Sequence, residues 1–549
     1  MPEQKGLAGA EMEQMSPDGV ECRVADLYRD YLQGRPEARP FFVSEGFGIE
    51  PLVEAADRAA SFRRDLKTVA RALARQQESR SSSRAAARAA LLAEPGAAAV
   101  VTGQQPGLFG GPLLVLYKAL TARGIAADLE ARRGRPVVPV FWVASDDHDF
   151  EEVRSITLID ASGSLRALRY APRQEPSGQP AFRIALDDTI LALLDELEGA
   201  LPASPNRDAL LALLRRSYRP GATLSEAFAS LLSSLLPDVV VLDPADPILK
   251  SLMVPLLSRE LREGSPTSRA ASETGARLEA AGYHEQAQVR PGFLSLFLEM
   301  EGERRALALA DGVVEVRGLQ RRVPLAEAER LLEQDPASFS PGALLRPLAQ
   351  DLLLPTAAYV GGPAEIAYHA QIGPAYAHFG IPRPVLVPRA SVTVVEPAQA
   401  RAMEADGLTL EALREDPERI LARLARESHP EVESAFARAR EAVEREMAAV
   451  EEAVAAVDPT LRAAAEGARG RALHQIEALH EKATRALKKR DQTRADRLRR
   501  TRDALFPGGQ PQERVLALAG LVARHGPAVI GEIAARMDVW AREAQVIRL

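Results

Sequence analysis

The chain has 549 residues, of which 46% are hydrophobic and 26% charged, a composition typical of a globular protein with about two to four domains. The formal net charge of -7 gives no reason to expect a nucleic-acid-binding protein. A single cysteine, Cys22, excludes an internal disulfide and a zinc site built from several cysteines. We expect a cytoplasmic location and no membrane-spanning helix, because no run of about 18 apolar residues is present.

The first part of the chain is predicted to be mostly helical, since VADLYRDYL and LKTVARALARQQ have helical apolar spacing. Cys22 lies in this region, where a structural role is expected. Strand-like and helical segments then alternate from Ala97 to about Val387, which predicts an α/β core with a mainly parallel sheet. The predicted domains are a helical N-terminal segment packed on the core (1–95), the core (96–395) with inserted segments (about 161–235 and 250–340), a helical coiled-coil arm (396–510) and a helical tail that returns to the core (511–549).

The stretch VTGQQPGLFGGPLLVLYKAL is typical of a strand, a glycine-rich loop and a helix. Its glycine spacing fits neither the dinucleotide-binding G-x-G-x-x-G pattern nor a Walker A loop. Glycines still permit close backbone approach, and N–H groups at a helix N-terminus favour anions. A tight structural turn explains the loop as well as an anion site does. The candidate binding residues here are Thr102, Gly103, Gln104, Gln105, Gly107 and Lys118.

Ionisable side chains follow the next apolar strand, PVVPVFWVA, at Asp146, Asp147, His148 and Asp149. Ligands of parallel sheets bind at the carboxyl ends of strands, so this cluster is a candidate site. His148, oriented by Asp146 or Asp149, is the candidate general base. Helix capping would account for one aspartate but not for the whole cluster. A metal site in this cluster is the less favoured alternative, because no second cluster of spaced histidines supports one.

A second strand, Gly-Gly-Pro turn and helix is predicted in AAYVGGPAEIAYHAQ. Its glutamate, Glu365, would lie in the first helical turn, where the helix dipole favours a carboxylate, although capping alone also explains it. His369 is explained equally well by the core and by a site. Arg389 follows the strand VLVP and suits an anionic group. The candidate binding residues in this region are Tyr359, Gly361, Gly362, Glu365, Tyr368 and Arg389.

Between Pro417 and Leu505, apolar residues such as Phe436 and Val443 recur every seven positions, and the pattern resumes after Asp458-Pro459. This predicts two long antiparallel helices in a coiled-coil hairpin. We favour a homodimerisation element over a solvated arm. The Lys- and Arg-rich second helix has no interleaved aromatic residue, so we interpret it as a solvated face that pairs with the acidic first helix. A patch for an anionic ligand such as a nucleotide is the alternative.

Four stretches, VVTGQQPGLFGGPLLVLYKA, PVFWVASDDHDFEEV, LLRPLAQDLLLPTAAYVGGPAEIAYHAQ and LFPGGQPQERVL, together resemble the bacillithiol biosynthesis cysteine-adding enzyme family, BshC. The resemblance covers most of the chain, whereas 161–235 and 400–500 match only in general character. It implies a Rossmann-like core, a C-terminal coiled coil that is often dimeric, and the last step of bacillithiol synthesis. In that step, cysteine is joined to glucosaminyl-malate through an amide bond. The family's cleft would fall on Gly103 to Gly107, Asp146 to Asp149 and Tyr359 to Glu365.

Amide formation needs an activated carboxylate, so the resemblance implies ATP or another nucleotide, although no motif locates its site. In this chemistry the glycine loop and Arg389 would bind anions, and His148 would remove a proton. Glu365 would hold the cysteine ammonium. A metal requirement stays open. Two alternatives are another nucleotide-dependent, carboxylate-activating transferase and a non-catalytic dimeric ligand-binding scaffold. Neither a nucleic-acid nor a membrane partner is expected.

Overall fold

The computed structural model describes residues 13–15 and 25–549. Cys22, for which a structural role is predicted, lies outside these residues. The chain divides into two compact units. One comprises Met1–Thr393 and Glu513–Ile547, and the other comprises Val394–Gln512 and Arg548–Leu549. Across the part of the chain that is described, no helix is long and apolar enough to cross a membrane.

Regular secondary structure occupies most of both units. The strands are β1 (Glu13–Met15), β2 (Ala98–Gln104), β3 (Val137–Val143), β4 (Ser155–Ile159), β5 (Leu165–Arg169), β6 (Val240–Leu242), β7 (Phe293–Met300), β8 (Glu303–Ala310), β9 (Val313–Val316), β10 (Arg321–Pro324), β11 (Phe339–Pro341), β12 (Thr356–Gly361), β13 (Val385–Pro388), β14 (Val392–Val395) and β15 (Ala544–Arg548). The helices are α1 (Ala25–Gln33), α2 (Ile49–Ser61), α3 (Leu66–Ser79), α4 (Ser83–Ala90), α5 (Leu113–Arg133), α6 (Phe150–Val153), α7 (Thr189–Ala200), α8 (Pro205–Ser217), α9 (Leu224–Leu235), α10 (Pro247–Arg262), α11 (Pro266–Ala280), α12 (Leu325–Gln334), α13 (Arg346–Leu353), α14 (Pro363–Gln371), α15 (Gly373–Phe379), α16 (Pro397–Asp406), α17 (Pro417–Glu427), α18 (Pro430–Val457), α19 (Arg462–Arg490), α20 (Gln492–Leu505), α21 (Gln512–Val515), α22 (Leu518–His525) and α23 (Ala528–Arg536).

The core of the first unit is a five-stranded sheet in the order β13-β12-β2-β3-β6. Every neighbouring pair in it is parallel, which confirms the predicted mainly parallel α/β core. All seven residues of β3 are buried, as expected for a parallel strand that is covered on both faces. The helix α5 connects β2 to β3 and ends at Gly134, whose φ of 62° is the left-handed conformation that glycine adopts readily.

Antiparallel strands interrupt the alternation predicted up to Val387. The strands β4 and β5 form a hairpin, and a separate sheet has the order β10-β9-β8-β7-β11. Two-residue turns, Glu301-Gly302 and Asp311-Gly312, join β7 to β8 and β8 to β9. All four turn residues have positive φ, which is the type I′ geometry that matches the twist of a hairpin. Local turn chemistry therefore decides the strand direction here.

In the second unit, α18 and α19 form the predicted antiparallel hairpin. The ion pairs Arg440–Glu477 (3.2 Å) and Arg469–Glu451 (3.1 Å) cross between them, and so does the stacking of Phe436 on a histidine of α19. Each of the two predicted helices is divided, however. Pro430 begins α18 after a break that follows α17, and Asp491 caps α20.

The second unit also contains a buried acidic residue. Asp406, the last residue of α16, accepts hydrogen bonds from Arg494 (2.8 Å) and Arg497 (2.6 and 2.9 Å). We predict that Asp406→Ala lowers the free energy of unfolding of this unit by about 1.5–3 kcal/mol, the range for hydrogen bonds to charged groups. Denaturation followed by helical circular dichroism measures this. The control is Asp496→Ala, because Asp496 is an exposed partner of Arg499. Equal losses in both variants would contradict the prediction.

Candidate functional site

The candidate site lies where three neighbouring strands of the central sheet end. The strand β2 ends at Gln104, β3 is followed by the aspartate-rich cluster at Asp146 to Asp149, and β12 ends at Gly361. Since β12, β2 and β3 are adjacent and parallel, their carboxyl ends share one edge of the sheet. The structure therefore brings all three predicted segments together.

A buried ammonium group connects two of these segments. Lys118, on α5, donates to Gly103 O (2.8 Å) and Gln104 Oε1 (2.7 Å), and its Nζ lies 2.5 Å from Glu365 Oε2. Burial lowers the pKa of Lys118, and the Glu365 carboxylate opposes this shift. Lys118 thus has three oxygen partners, one of which, the Glu365 carboxylate, also supplies the counter-charge that a buried ammonium needs.

The carboxylate of Glu365 is already well satisfied. It accepts from Tyr359 Oη (2.7 Å) and from Gly362 N (2.9 Å), in addition to its pairing with Lys118. Burial by itself would raise the pKa of Glu365, but Lys118 and these hydrogen bonds outweigh burial and lower the pKa. A substrate ammonium at Glu365 would therefore share the carboxylate with Lys118.

Arg346 extends this network, and sequence analysis assigned it no role. Its guanidinium lies 5.5 Å from the ring centre of Tyr359 and donates to Tyr368 Oη (3.3 Å) and His369 Nε2 (3.4 Å). His369 is buried and stacks on Tyr359 at 4.4 Å. Burial lowers the pKa of His369 well below its usual value, and the charge of Arg346 adds to that effect. His369 is thus a neutral acceptor inside the network.

Two members of the β3 cluster have structural partners. Asp146 is buried, and its Oδ1 lies 2.6 Å from Nζ of Lys250, which also donates to Phe339 O (3.0 Å). Asp149 caps the short helix α6 by accepting from Glu152 N (3.2 Å). Lys250 was not predicted, although a single lysine on the buried face of the apolar helix ILKSLMVPLL is a signal for a paired charge.

His148 has the accessibility that a general base needs, since 40% of its side chain is exposed. Its Nδ1 lies 3.3 Å from a guanidinium nitrogen of Arg304 and 3.8 Å from Asp147 Oδ1. Because arginine only donates, Nδ1 accepts and the proton of neutral His148 resides on Nε2. Burial lowers the pKa of His148, Arg304 lowers it further, and Asp147 and Asp149 oppose the shift. At 3.8 Å from His148 Nδ1, the carboxylate of Asp147 is the one beside the imidazole ring, whereas the sequence predicted Asp146 or Asp149 for this place.

Adjacent glutamines join the two clusters. Gln104 accepts from Lys118, and the Nε2 of Gln105 donates to Asp147 Oδ2 (2.6 Å). The other polar atom of Gln105, Oε1, is buried without a hydrogen-bond partner in the described structure. Leaving a buried acceptor unpaired costs about 1–3 kcal/mol, so a ligand that donates a hydrogen bond is favoured at this point.

The glycine loop is held by contacts within the protein. Thr102 Oγ1 donates to Val360 O (2.8 Å), a buried contact between β2 and β12. A side chain at Gly103 would place Cβ 2.8 Å from Trp142 O, so the glycine is required by strand packing. A Cβ on Gly107 would lie 2.9 Å from the Cα of the loop's last glycine.

Several loop N–H groups already have acceptors. Gly107 N donates to Gln105 O (2.9 Å), Gly111 N to Leu108 O (2.9 Å) and Gly110 N to Tyr218 Oη (3.2 Å). This arrangement favours the tight structural turn, and the anion-binding role of the loop stays a prediction.

The remaining predicted residues lie beside the same strands. The buried Arg389 pairs with Glu513 at 2.6 Å, so its guanidinium is engaged by the protein. At Gly361, a Cβ would lie 3.1 Å from the Cβ of Glu365, so a larger residue would be crowded there.

Arg304, on β8, could not be predicted locally, since it is far in sequence from its partner His148. Among residues 13–15 and 25–549, no group of three or more His, Cys, Asp or Glu residues could hold a metal ion.

We predict that Lys118→Met lowers the free energy of unfolding by about 1.5–3 kcal/mol, the range for hydrogen bonds to charged groups, because it leaves Gly103 O, Gln104 and the partly exposed Glu365 carboxylate without the ammonium. The double variant Lys118→Met/Glu365→Gln should recover part of this loss. Chemical denaturation of the full chain measures both, with Lys67→Met at an exposed position as the control. A Lys118→Met variant as stable as this control would contradict the account.

Comparisons with known proteins agree with this geometry. Residues 15–390 match the family described as bacillithiol biosynthesis BshC, N-terminal Rossmann-like domain, and residues 392–549 match its C-terminal coiled-coil domain. Proteins named "Putative cysteine ligase BshC" are similar to the chain. The Salinibacter ruber protein is 34% identical over 95% of this chain and 93% of its own length. The Koribacter versatilis protein is 35% identical over 78% of this chain and 80% of its own length. The Chlorobaculum tepidum protein is 34% identical over 83% of this chain and 84% of its own length. The predicted Rossmann-like core and coiled coil are confirmed, and the chain belongs to the bacillithiol biosynthesis BshC family.

Proposed function

We propose that this protein is a cysteine ligase that joins the carboxylate of L-cysteine to the amine of glucosaminyl-malate, the last step of bacillithiol biosynthesis. Family membership supports the reaction class. The observation in the structure that carries the proposal is the shared strand edge, where an accessible neutral histidine lies beside a buried acceptor without a donor, Gln105 Oε1. A cytoplasmic location, where thiols stay reduced, is part of the same proposal.

Carboxylates are poor electrophiles, so the cysteine carboxylate has to be activated before the amine attacks. ATP is the proposed co-substrate, and it would convert the carboxylate into an acyl-adenylate with release of pyrophosphate, or into an acyl-phosphate with release of ADP. The amine nitrogen then forms the amide bond while the activated C–O bond breaks and phosphate or AMP leaves. Because several loop N–H groups are engaged, the proposal places no phosphate on them. Arg304 donates to Ser340, Pro341 O and His148, which leaves two of its five N–H groups for an anionic group.

His148 is the proposed acceptor for the proton that the attacking nitrogen loses. In the structure its Nδ1 accepts a long hydrogen bond from Arg304. A substrate anion that takes up this Arg304 N–H would release the lone pair on Nδ1. Asp147 is then placed to stabilise the imidazolium that forms, and the same carboxylate is positioned by Gln105.

The proposal is tested by incubating the purified full chain with cysteine, glucosaminyl-malate and ATP, and detecting the amide by mass spectrometry. Product that requires both substrates and ATP supports it. Exchange of cysteine for serine or alanine tests the amino-acid specificity. An amide formed equally well with other acyl donors would favour a different transferase, and no product under any condition would contradict catalysis.

We predict that His148→Ala lowers kcat by about 10²–10⁴-fold, the range for loss of a general base, with little effect on stability because the side chain is partly exposed. Steady-state kinetics and thermal denaturation measure the two effects. The matched control is His284→Ala, at an exposed histidine away from the cluster. Wild-type turnover in folded His148→Ala would remove this residue as the base.

The pH dependence follows from the direction of the His148 pKa shift. Burial and Arg304 lower this pKa from 6.5, and the base must be neutral to accept a proton. The value of kcat/KM should therefore stay high down to neutral pH and fall as pH drops through a midpoint below 6.5. A pH–rate profile of the wild type measures the midpoint, and His148→Gln should lose this acid limb. An unchanged limb in that variant would assign it to another group.

Dimerisation through the helical arm is the second part of the proposal. The arm exposes large apolar side chains, including Val450 (46%), Val457 (84%) and Leu479 (58%). Burying one such side chain is worth about 1.5–3 kcal/mol, and a twofold dimer is the commonest symmetric assembly.

Light scattering tests the dimer. The full chain should be dimeric at micromolar concentration, whereas Val450→Glu/Leu479→Glu should be monomeric. Removal of residues 417–505 with a short linker should give the same result. As the control, Leu191→Glu introduces a charge at an exposed leucine of the first unit and should leave the dimer intact. A wild-type chain that is already monomeric would contradict dimerisation.

A further inference from the structure

A polar cavity of about 850 Å³ lies beside the end of β6, within the first unit. This volume is typical of small-molecule sites, which span about 300–1,000 Å³. The cavity adjoins the candidate site through Ser145, the residue before the β3 cluster. Ser145 Oγ donates to Asp243 Oδ1 (2.5 Å) in the cavity wall, and Ser145 O accepts from Phe182 N (3.1 Å), which also lines it.

One part of the lining is cationic. It includes Arg80, Arg216 and Arg219. Arg80 is anchored, because it donates to Val241 O (2.5 Å). In the part of the chain that the structure describes, the guanidinium groups of Arg216 and Arg219 make neither an ion pair nor a hydrogen bond. Guanidinium groups bind carboxylates and phosphates through paired hydrogen bonds, so these two are available to an anion.

The same lining carries carboxylates and many hydroxyl groups. The acidic residues are Asp243, Asp246 and Glu226, and seven serine and threonine residues join them. Asp243 Oδ1 accepts from Ser145, and Asp246 Oδ1 accepts from Ile248 N (2.8 Å), which holds both side chains in place. A ligand that fits this lining needs anionic groups for the arginines, a cationic group for the acids, and hydroxyls for the serines.

We infer that this cavity binds an amino sugar that bears carboxylate groups. Its carboxylates lie at Arg216 and Arg219, its hydroxyl groups at the serines, and its amine at Asp243, the wall that Ser145 joins to the β3 cluster of His148. A nucleotide suits the cavity less well, because it carries no cationic group to balance Asp243, Asp246 and Glu226. The inference rests on the proposed function, whose amine substrate, glucosaminyl-malate, belongs to this chemical class. The cavity thus holds the acceptor substrate next to the strand edge.

Direct binding separates this inference from the catalytic proposal. Isothermal titration of the full chain with glucosaminyl-malate, without cysteine or ATP, should show saturable binding. The double variant Arg216→Gln/Arg219→Gln should weaken this binding at least tenfold. A control with the same charge change, Arg63→Gln/Arg321→Gln at exposed positions off the cavity, should bind like the wild type. Free malate should compete, whereas glucose, which lacks both charges, should not.

Each outcome bears on one claim. Equal binding by the cavity variant and the wild type would overturn the cavity assignment and leave the ligase proposal standing. No binding of glucosaminyl-malate by the wild type would overturn the assignment, and the product assay would decide the ligase proposal on its own. Loss of ATP binding in the cavity variant, with glucosaminyl-malate binding intact, would identify the cavity as a nucleotide site and contradict the inference.

Discussion

The buried ammonium of Lys118 is the interaction on which the arrangement of the site depends. It joins the end of β2, through Gly103 O and Gln104, to the first turn of α14, through Glu365. A charge in this position is stable only while all its partners are present, so the ends of β2 and β12 are held in one arrangement. Tyr359 and Gly362 N complete the coordination of Glu365 from β12 and its turn. What is predicted as a ligand-binding lysine is therefore also the structural centre of the strand edge.

The glutamine pair extends this order to the third strand. Gln104 belongs to the lysine network, whereas its neighbour Gln105 holds Asp147 beside the exposed His148. Two consecutive side chains thus link a buried, rigid cluster to an accessible, titratable one. Such a division suits catalysis, because the first cluster fixes positions while the second meets the substrate. The unpaired Gln105 Oε1 lies at their junction, where a substrate donor would complete the network.

Much of the fold can be predicted from the sequence, because it depends on local patterns. Continuous apolar runs such as PVVPVFWVA indicate buried parallel strands, and seven-residue spacing indicates the helical hairpin. The residues at strand ends are also predictable, since topology places Gln104, His148 and Glu365 at one edge. The side chains that contact this edge from distant parts of the chain could not be predicted. Lys250, Arg304 and Arg346 reach the site from α10, β8 and α13, and such long-range pairings leave little local trace. The antiparallel sheet escaped prediction although its turns, Glu301-Gly302 and Asp311-Gly312, are a local hairpin signal, because the segment was interpreted only through its alternation of strands and helices.

The central claim is that this strand edge activates the cysteine carboxylate for attack by an amine. The most direct measurement uses cysteine whose two carboxylate oxygens carry the heavy oxygen isotope, with glucosaminyl-malate, ATP and the full chain. The account predicts an amide that retains one labelled oxygen, with the other transferred to AMP or inorganic phosphate, since the activated C–O bond breaks when the amide forms. Amide formation with no label in either phosphate product would contradict activation by ATP, and label transfer without amide would contradict the ligase reaction.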